Sequence, residues 1–310
     1  MIKDNNLPTT LQEAIIYFSD NDACLNFARS LRWDDGVAVC PRCKGTETSF
    51  LSTRRIWKCK KCKKQFSVKV GTIFEDSALG LDKWLTAIWL IVNAKNGISS
   101  YELGRALGFK QKTAWFVLHR IRRALQTGRF VKLSGNVEAD ETFIGGKAKN
   151  MHKWKREQKI QGRGSVGKTA VFGALERKGR VLAKVIQNTK KKTLHNEIKE
   201  KVEKGSNLFT DEWKSYRGLD ADYIHEVINH SIEYVKGHIH TNGIENFWSL
   251  LKRTIKETYV SVEPFHLSKY VDEQVFRFNE RKGNDKDRFL KAVGLISGKR
   301  LTYKELTNKL

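Results

Sequence analysis

Asn136–Gly146 reads NVEADETFIGG. Its alternation is that of a β-strand, with Asp140 at the strand end and Glu141 turned to the opposite face. Working outward, AVFGALERKGRVLAKVIQ is a hairpin: a strand over 170–176, a turn at Lys178-Gly179, and a second strand over 180–186. TKKKTLHNEIKEKVEKG is a helix with a start signal at Thr189 and a stop at Gly205. SNLFTDEWKSY is a short apolar strand ending at Asp211, and HEVINH is another. TNGIENFWSLLKRTIKE is a helix with Ile244, Phe247, Leu251 and Ile255 on one face. Glu245 and Lys252, seven residues apart, share another face two turns from each other. After Pro264, FHLSKYVDEQVFRFNERK is a helix expected to pack on the same domain. The order is strand, strand, strand, helix, strand, helix, strand, helix, which is an α/β fold.

A competing reading comes from GRGSVGKT, residues 162–169, which fits G-x-x-x-x-G-K-[ST], the phosphate-cradling loop of many nucleotide hydrolases. Such a loop must leave a buried strand and open a helix, because helix N-terminal N–H groups hold the phosphates. Here KNMHKWKREQKIQ precedes it, polar and basic, and a strand follows. The context fails on both sides, so no nucleotide cofactor is expected. Residues 145–168 instead read as one long basic loop around Trp154, with Lys147, Lys153, Lys155 and Arg156 placed to track a DNA backbone.

The N-terminal half carries a different chemistry. CPRC and CKKC, holding Cys40, Cys43, Cys59 and Cys62, are two knuckles separated by fifteen residues. That is the spacing of a closed structural Zn²⁺ site with four thiolate ligands. Trp57 and Phe66 are expected beneath the ribbon, and Cys24, among Leu25, Phe27 and Ala28, reads as a core residue. Residues 78–127 read as helices, with a turn around Gly108 that resembles a helix-turn-helix. The second helix would present Lys110, Gln111, Lys112 and Thr113 to a groove, with Arg120, Arg122 and Arg123 further along. The balance of 58 Lys+Arg against 34 Asp+Glu, a formal charge of +24, points to nucleic acid as the partner. No apolar run approaches a membrane span and MIKDNNLPTT lacks the build of a signal peptide, so a cytoplasmic protein without membrane contact is expected.

The order of elements and the positions of the acids resemble the ribonuclease-H-like fold. ADETFIGGK, TDEWKSY, NHS and HTNGIENFWSLLKR, behind an N-terminal zinc ribbon, resemble bacterial insertion-sequence transposases with a DDE core. The resemblance runs from about Asp22 to Tyr259. It implies a catalytic set of Asp140, Asp211 and Glu245, with 33 residues between the last two. Asn242 competes with Glu245 for the third position, and Lys252 is the candidate contact to phosphate. His240 and Trp248 are candidate supports. A second metal site at His238 and His240 lacks further ligands. Three carboxylates suit hard Mg²⁺ or Mn²⁺ and two-metal phosphoryl transfer. The expected partners are the terminal inverted repeats of the element, target DNA, and further copies of the chain in a dimer or larger assembly. The expected domains are a 1–74 zinc ribbon with N-terminal helices, a 75–130 helix-turn-helix-like segment, a 131–262 catalytic domain and a 263–310 helical extension. A DNA-binding regulator explains the charge but not the acids; a metal-dependent nuclease explains both without strand transfer.

Overall fold

The computed structural model describes residues 7–33, 35–126, 131–146, 152–159, 166–228 and 240–307. The chain forms two compact units: Met1–Gln126 together with Arg281–Leu310, and Thr127–Glu280.

In the first unit, α1 (Leu11–Ser19) opens with a capping box in which Thr10 and Glu13 satisfy each other's backbone N–H groups. Asp20 starts α2 (Asn21–Arg32) by accepting from Asp22 N. The ribbon follows as β1 (Thr48–Leu51), β2 (Ile56–Cys59) and β3 (Gln65–Phe66), antiparallel throughout. Beneath it Trp57 stacks on Phe66 and meets Trp33 edge-on, with ring centroids 6.3 and 5.0 Å apart. Cys24 is wholly buried and burial pushes its thiol up to about 12, as befits an inert core residue.

Three helices follow: α3 (Leu81–Asn93), α4 (Ser100–Leu107) and α5 (Gln111–Leu125). Ser99 and Glu102 form a second capping box at the start of α4, and Gly108 ends it in the left-handed conformation at φ 70°. Lys110, Gln111, Lys112, Thr113 and Arg123 are exposed. Arg120 and Arg122 correct the sequence reading. They are 4% and 1% exposed because the inner face of α5 carries them into the core. Arg120 donates to the Glu75 carbonyl and lies over Trp84 and Phe116.

The C-terminal residues were expected as one extension, but they divide between the units. α10 (Asp285–Gly294) packs on α3, and its Phe289 fills a pocket of Phe18, Phe27 and Trp89 at centroid distances of 5.4, 5.7 and 5.2 Å. α11 (Tyr303–Thr307) places Tyr303 under the Lys112 ammonium.

In the second unit, β4 (Asn136–Ile144), β5 (Thr169–Glu176), β6 (Val181–Ile186), β7 (Asn207–Asp211) and β8 (Ile224–Ile228) form one sheet. Its order is β6-β5-β4-β7-β8. β4 is antiparallel to β5 and parallel to β7, and β8 is parallel to β7. This is the ribonuclease-H-like order. One face, with Val137, Ala139, Phe172 and Ala174, is covered by Leu194 and Ile198 of α7 (Lys191–Lys201). The other, with Val171, Leu175 and Val181, is covered by α8 (Asn242–Arg253) and α9 (Leu267–Asn279), through residues such as Ile244, Phe247, Leu251 and Val271.

Three local readings change. Thr189 does not cap α7: the cap is Lys190, and the Asn188 side chain accepts from Lys190 N and Thr193 Oγ1. α8 runs from Arg253 into a π-helical turn, Thr254–Thr258. The expected basic loop contains a helix, α6 (Lys153–Lys159), consistent with the good helix formers in KWKREQK. Lys153, Trp154 and Arg156 are exposed there, Lys155 lies on the same helix, and Lys147 and His238 lie outside the described residues. Lys168 and Thr169 of GRGSVGKT lead into β5, not into a helix. No helix among the described residues is long and apolar enough to cross a membrane.

Phe289→Ala should cost about 3–5 kcal/mol of stability, because it empties a pocket closed by three aromatic rings. Denaturant unfolding followed by tryptophan fluorescence measures it; a loss below about 1 kcal/mol would show that 281–310 does not hold the first unit together.

Candidate active site and metal centre

The two cysteine knuckles are built alike. Lys44 and Lys63, each directly after the second cysteine of its pair, take left-handed backbones at φ 59° and 60°. Cys40 N donates to Gly45 O and Cys59 N to Lys64 O, both at 2.9 Å, closing the same loop twice. The four Sγ atoms all lie within 4.8 Å of one another, with Cys40–Cys62 at 3.7 Å and Cys43–Cys59 at 3.5 Å. A tetrahedron of Zn–S bonds has edges of about 3.8 Å, so the cage fits a zinc ion without rearrangement. Backbone N–H groups of Cys43 and Arg42 bring the Cys40 thiol down to about 6, and that of Cys62 lowers Cys59, while burial and the neighbouring sulfurs push Cys43 up to about 11.

The acids lie in the second unit. The β4–β7 ladder pairs Asn136 with Asn207, Val137 with Leu208 and Glu138 with Phe209. Asp140 and Asp211 stand two residues beyond the last of these pairs on each strand. Side chains alternate with period 2, so both face the side of the sheet that α8 covers. Asp140 is pushed up to about 6, first by burial and then by the charge of Asp211, with a smaller contribution from Glu245. Three acids 34 or more residues apart in sequence thus share one field.

α8 arranges the rest. Glu245, Trp248 and Lys252 form a stripe at i, i+3 and i+7. Glu245 is exposed in the first turn and accepts from Thr241 Oγ1 at 3.0 Å. Asn242, the rival for its role, is exposed one turn earlier. Lys252 is exposed in the last turn, about 10 Å along the axis from Glu245. Between them Trp248, 3% exposed, donates its indole N–H to Asp140 Oδ2 at 2.9 Å. Trp248 is therefore both a core residue and a partner of the acid. Gly173, paired with Asp140 across the ladder, makes room: a Cβ there would lie 2.6 Å from the indole. A lone glycine within a strand is the signal that could have found this close approach.

Asp211 is held by the turn that follows it, where Trp213 N donates to its Oδ1 at 3.2 Å. On the opposite face, as alternation requires, Glu141 accepts from the hydroxyl of buried Tyr216. Burial, with the charges of Asp140 and Asp211, pushes Glu141 up to about 7 against the lowering effect of that hydrogen bond. The carboxyls stand wider apart than the sulfurs: among the described residues, the cysteines are the group whose ligand atoms all converge within 4.8 Å.

Comparison with known proteins places this arrangement. Residues 132–279 match the family described as the ISXO2-like transposase domain, a DDE transposase domain, and residues 19–65 match the transposase zinc-ribbon domain. The chain belongs to the ISXO2-like transposases and is a transposase enzyme. It is 28% identical over 244 residues to a protein of the transposable element ISH50 of Halobacterium salinarum, covering 74% of this chain and 81% of that one. It is 34% identical over 117 residues to a transposase-like protein of Haemophilus influenzae, covering 37% of this chain and 94% of that one. The Halobacterium relative is archaeal, so the similarity is not confined to bacterial elements as first expected.

Two outcomes follow from the geometry. The purified protein should carry one zinc per chain, and Cys59→Ser should lose it with a lower melting temperature; a metal-free wild type of equal stability would refute the cage. The Asp140 carboxyl, raised from its ordinary 3.8 to about 6, keeps a proton on folding that the unfolded chain releases. Its contribution to stability is therefore present at low pH and is lost as pH rises through that window. Without added divalent cation, Asp140→Asn should melt higher than wild type above pH 6, the gap shrinking toward pH 4. A gap of the opposite sign at neutral pH would contradict the like-charge crowding.

Proposed function

We propose that this transposase binds the ends of its own insertion element, hydrolyses a phosphodiester bond there, and joins the freed 3′-hydroxyl to target DNA. The observation that carries the reading is the placement of Asp140 and Asp211 at one level of adjacent strands, facing α8, with Glu245 contributing a third negative charge. Each of these carboxyls is an oxygen donor of the kind hard divalent cations prefer. Asp140 is raised first by burial and then by the charges of Asp211 and Glu245, and a cation beside it would favour its ionised form. The residues present therefore fit Mg²⁺ or Mn²⁺, held by Asp140, Asp211 and Glu245. Bound there, such ions activate the attacking oxygen and stabilise the leaving one.

The chain's own groups do the remaining work. The Trp248 indole and the Glu141 backbone N–H orient the Asp140 carboxyl. Trp213 N–H orients Asp211 by donating to its Oδ1. Lys252 stands clear of the sheet at the far end of the stripe, where an ammonium would hold a phosphate of the bound strand. Exposed Lys110, Gln111, Lys112, Thr113 and Arg123 of the first unit, and exposed Lys153 and Arg156 of α6, serve as DNA contacts; Lys147 and Lys155 are assigned with them from sequence alone. Phosphate contacts of this kind position DNA without reading its sequence. Two ends must be cut and joined in concert, and a homodimer or larger assembly, as the family resemblance implies, would serve that.

A labelled duplex carrying an element end, Mg²⁺ and a target plasmid test the reading. Wild type should cleave the end and yield joined product. Asp140→Ala and Asp211→Ala should abolish both reactions while end binding persists. Binding should weaken steeply with salt, since each neutralised phosphate releases a counterion. Cleavage without joining would reduce the protein to a nuclease, and full activity in either aspartate variant would dismiss the acid site.

A further inference from the structure

Glu138 lies two residues before Asp140 on the same face of β4 and is wholly buried. Its Oε1 accepts from Arg177 Nε at 2.9 Å, and its Oε2 accepts from the backbone N–H of Ile244 at 2.9 Å. Ile244 is the third residue of α8, so its N–H is one that the helix itself cannot satisfy. A helix normally fills this need from its own N-cap side chain. The N-cap here is Thr241, and its hydroxyl makes no cap bond; it donates to Glu245 Oε1 instead. The cap thus comes from the strand that carries Asp140, which leaves Thr241 available to hold Glu245.

The segment entering α8 is tied to the same carboxyl. Arg177 Nη2 donates to the His240 carbonyl at 2.6 Å, and the Arg177 guanidinium lies 3.9 Å from the Phe209 ring centroid. His240 Nδ1 is 3.2 Å from Glu138 Oε1. At Gly243 a Cβ would meet Glu138 Oε2 at 2.8 Å and Leu175 Cδ2 at 3.0 Å, so the helix reaches this depth only with glycine there. An apolar pair could fill the same volume at lower desolvation cost. A buried carboxyl with directional bonds on both oxygens instead admits one docking geometry.

We propose that Glu138 is a positioning residue: pinned by Arg177, it caps α8 from β4 and thereby sets where Glu245 stands relative to Asp140. The proposal rests on the reading of Asp140, Asp211 and Glu245 as the catalytic acids. It makes the divalent-cation requirement, not DNA binding, the property that Glu138 controls.

The test uses the full-length zinc-loaded protein and titrates Mg²⁺ in the end-cleavage assay for Glu138→Gln and Gly243→Ala, with Asp140→Ala beside them. In the first two variants the half-maximal Mg²⁺ concentration should rise by roughly 10–100-fold, the range for groups that orient metal ligands. Saturating Mn²⁺ should restore most of the rate and end binding should stay near wild type, even where the broken ion pair or the added Cβ lowers the melting temperature. Gly243→Ala keeps the carboxyl and so decides the matter should Glu138→Gln fold poorly. An unchanged Mg²⁺ requirement in the folded variants, alongside an inactive Asp140→Ala, overturns the positioning role alone. So does a rate that falls at every cation concentration in step with melting temperature and end binding, which marks a plain stability role. An active Asp140→Ala removes the acid site itself.

Discussion

Parallel pairing of β4 with β7 is the constraint from which the site follows. A parallel ladder puts residues at the same level onto the same face, so the register that pairs Glu138 with Phe209 sends Asp140 and Asp211 to one side together. Slipping the ladder by one residue would turn Asp211 toward the α7 face and exchange the faces of Leu208 and Phe209, each buried against its own set of neighbours. The hydrophobic pattern that fills the core therefore also enforces the like-charge pair. Core packing and chemistry are specified by the same alternation.

Around that pair, helix α8 is set by the smallness of two glycines and the chemistry of two acids. Gly173 lets the Trp248 ring lie on the strand next to Asp140, and Gly243 lets the first turn sink onto Glu138. Trp248 donates to one acid and Ile244 N to the other. The helix thus reads two successive same-face acids of β4 with groups about one turn apart. At its far end the π-helical turn is braced by Thr254 on Gln274 and by Tyr259 on Glu273, both from α9. The orientation of Lys252 is accordingly backed by packing at both ends of α8.

Much of this was legible in the sequence because period and spacing carry it. The strand at Asn136–Ile144, the hairpin after it and the short strand ending at Asp211 follow from alternation, and the knuckle spacing alone specified the sulfur cage. After GRGSVGKT the strand that its following residues spell is present, since Thr169 opens β5. What escaped was long-range. Arg120 and Arg122 have the letters of a basic face, yet α5 packs on more than one side, and the three-methylene stem of arginine allows it to cross a core to reach a carbonyl. Phe289 gives no local sign that the chain end returns to the first unit, since the pocket it fills is assembled from residues 18, 27 and 89. Glu138 looked like one more acid beside Asp140; only the fold brings Arg177 and Ile244 to it.

The different fates of three neighbouring acids in EADE show why counting carboxylates in a sequence misleads. Glu138 receives a guanidinium and a helix N–H on its two oxygens, the donors that compensate a buried charge. Glu141 receives one tyrosine hydroxyl and remains pushed up to about 7. Asp140 receives an indole N–H and is left facing the charge of Asp211, pushed up to about 6. Burial alone does not separate them, since Glu138 is the most buried of the three. The difference lies in the charge that each carboxyl faces. Glu138 faces a guanidinium and can hold a helix; Asp140, with an indole and a backbone N–H as its donors, faces a second carboxylate instead. A folded chain that buries its central acid beside a second negative charge accepts a loss of stability there, the opposite of what the guanidinium does for Glu138 two residues away.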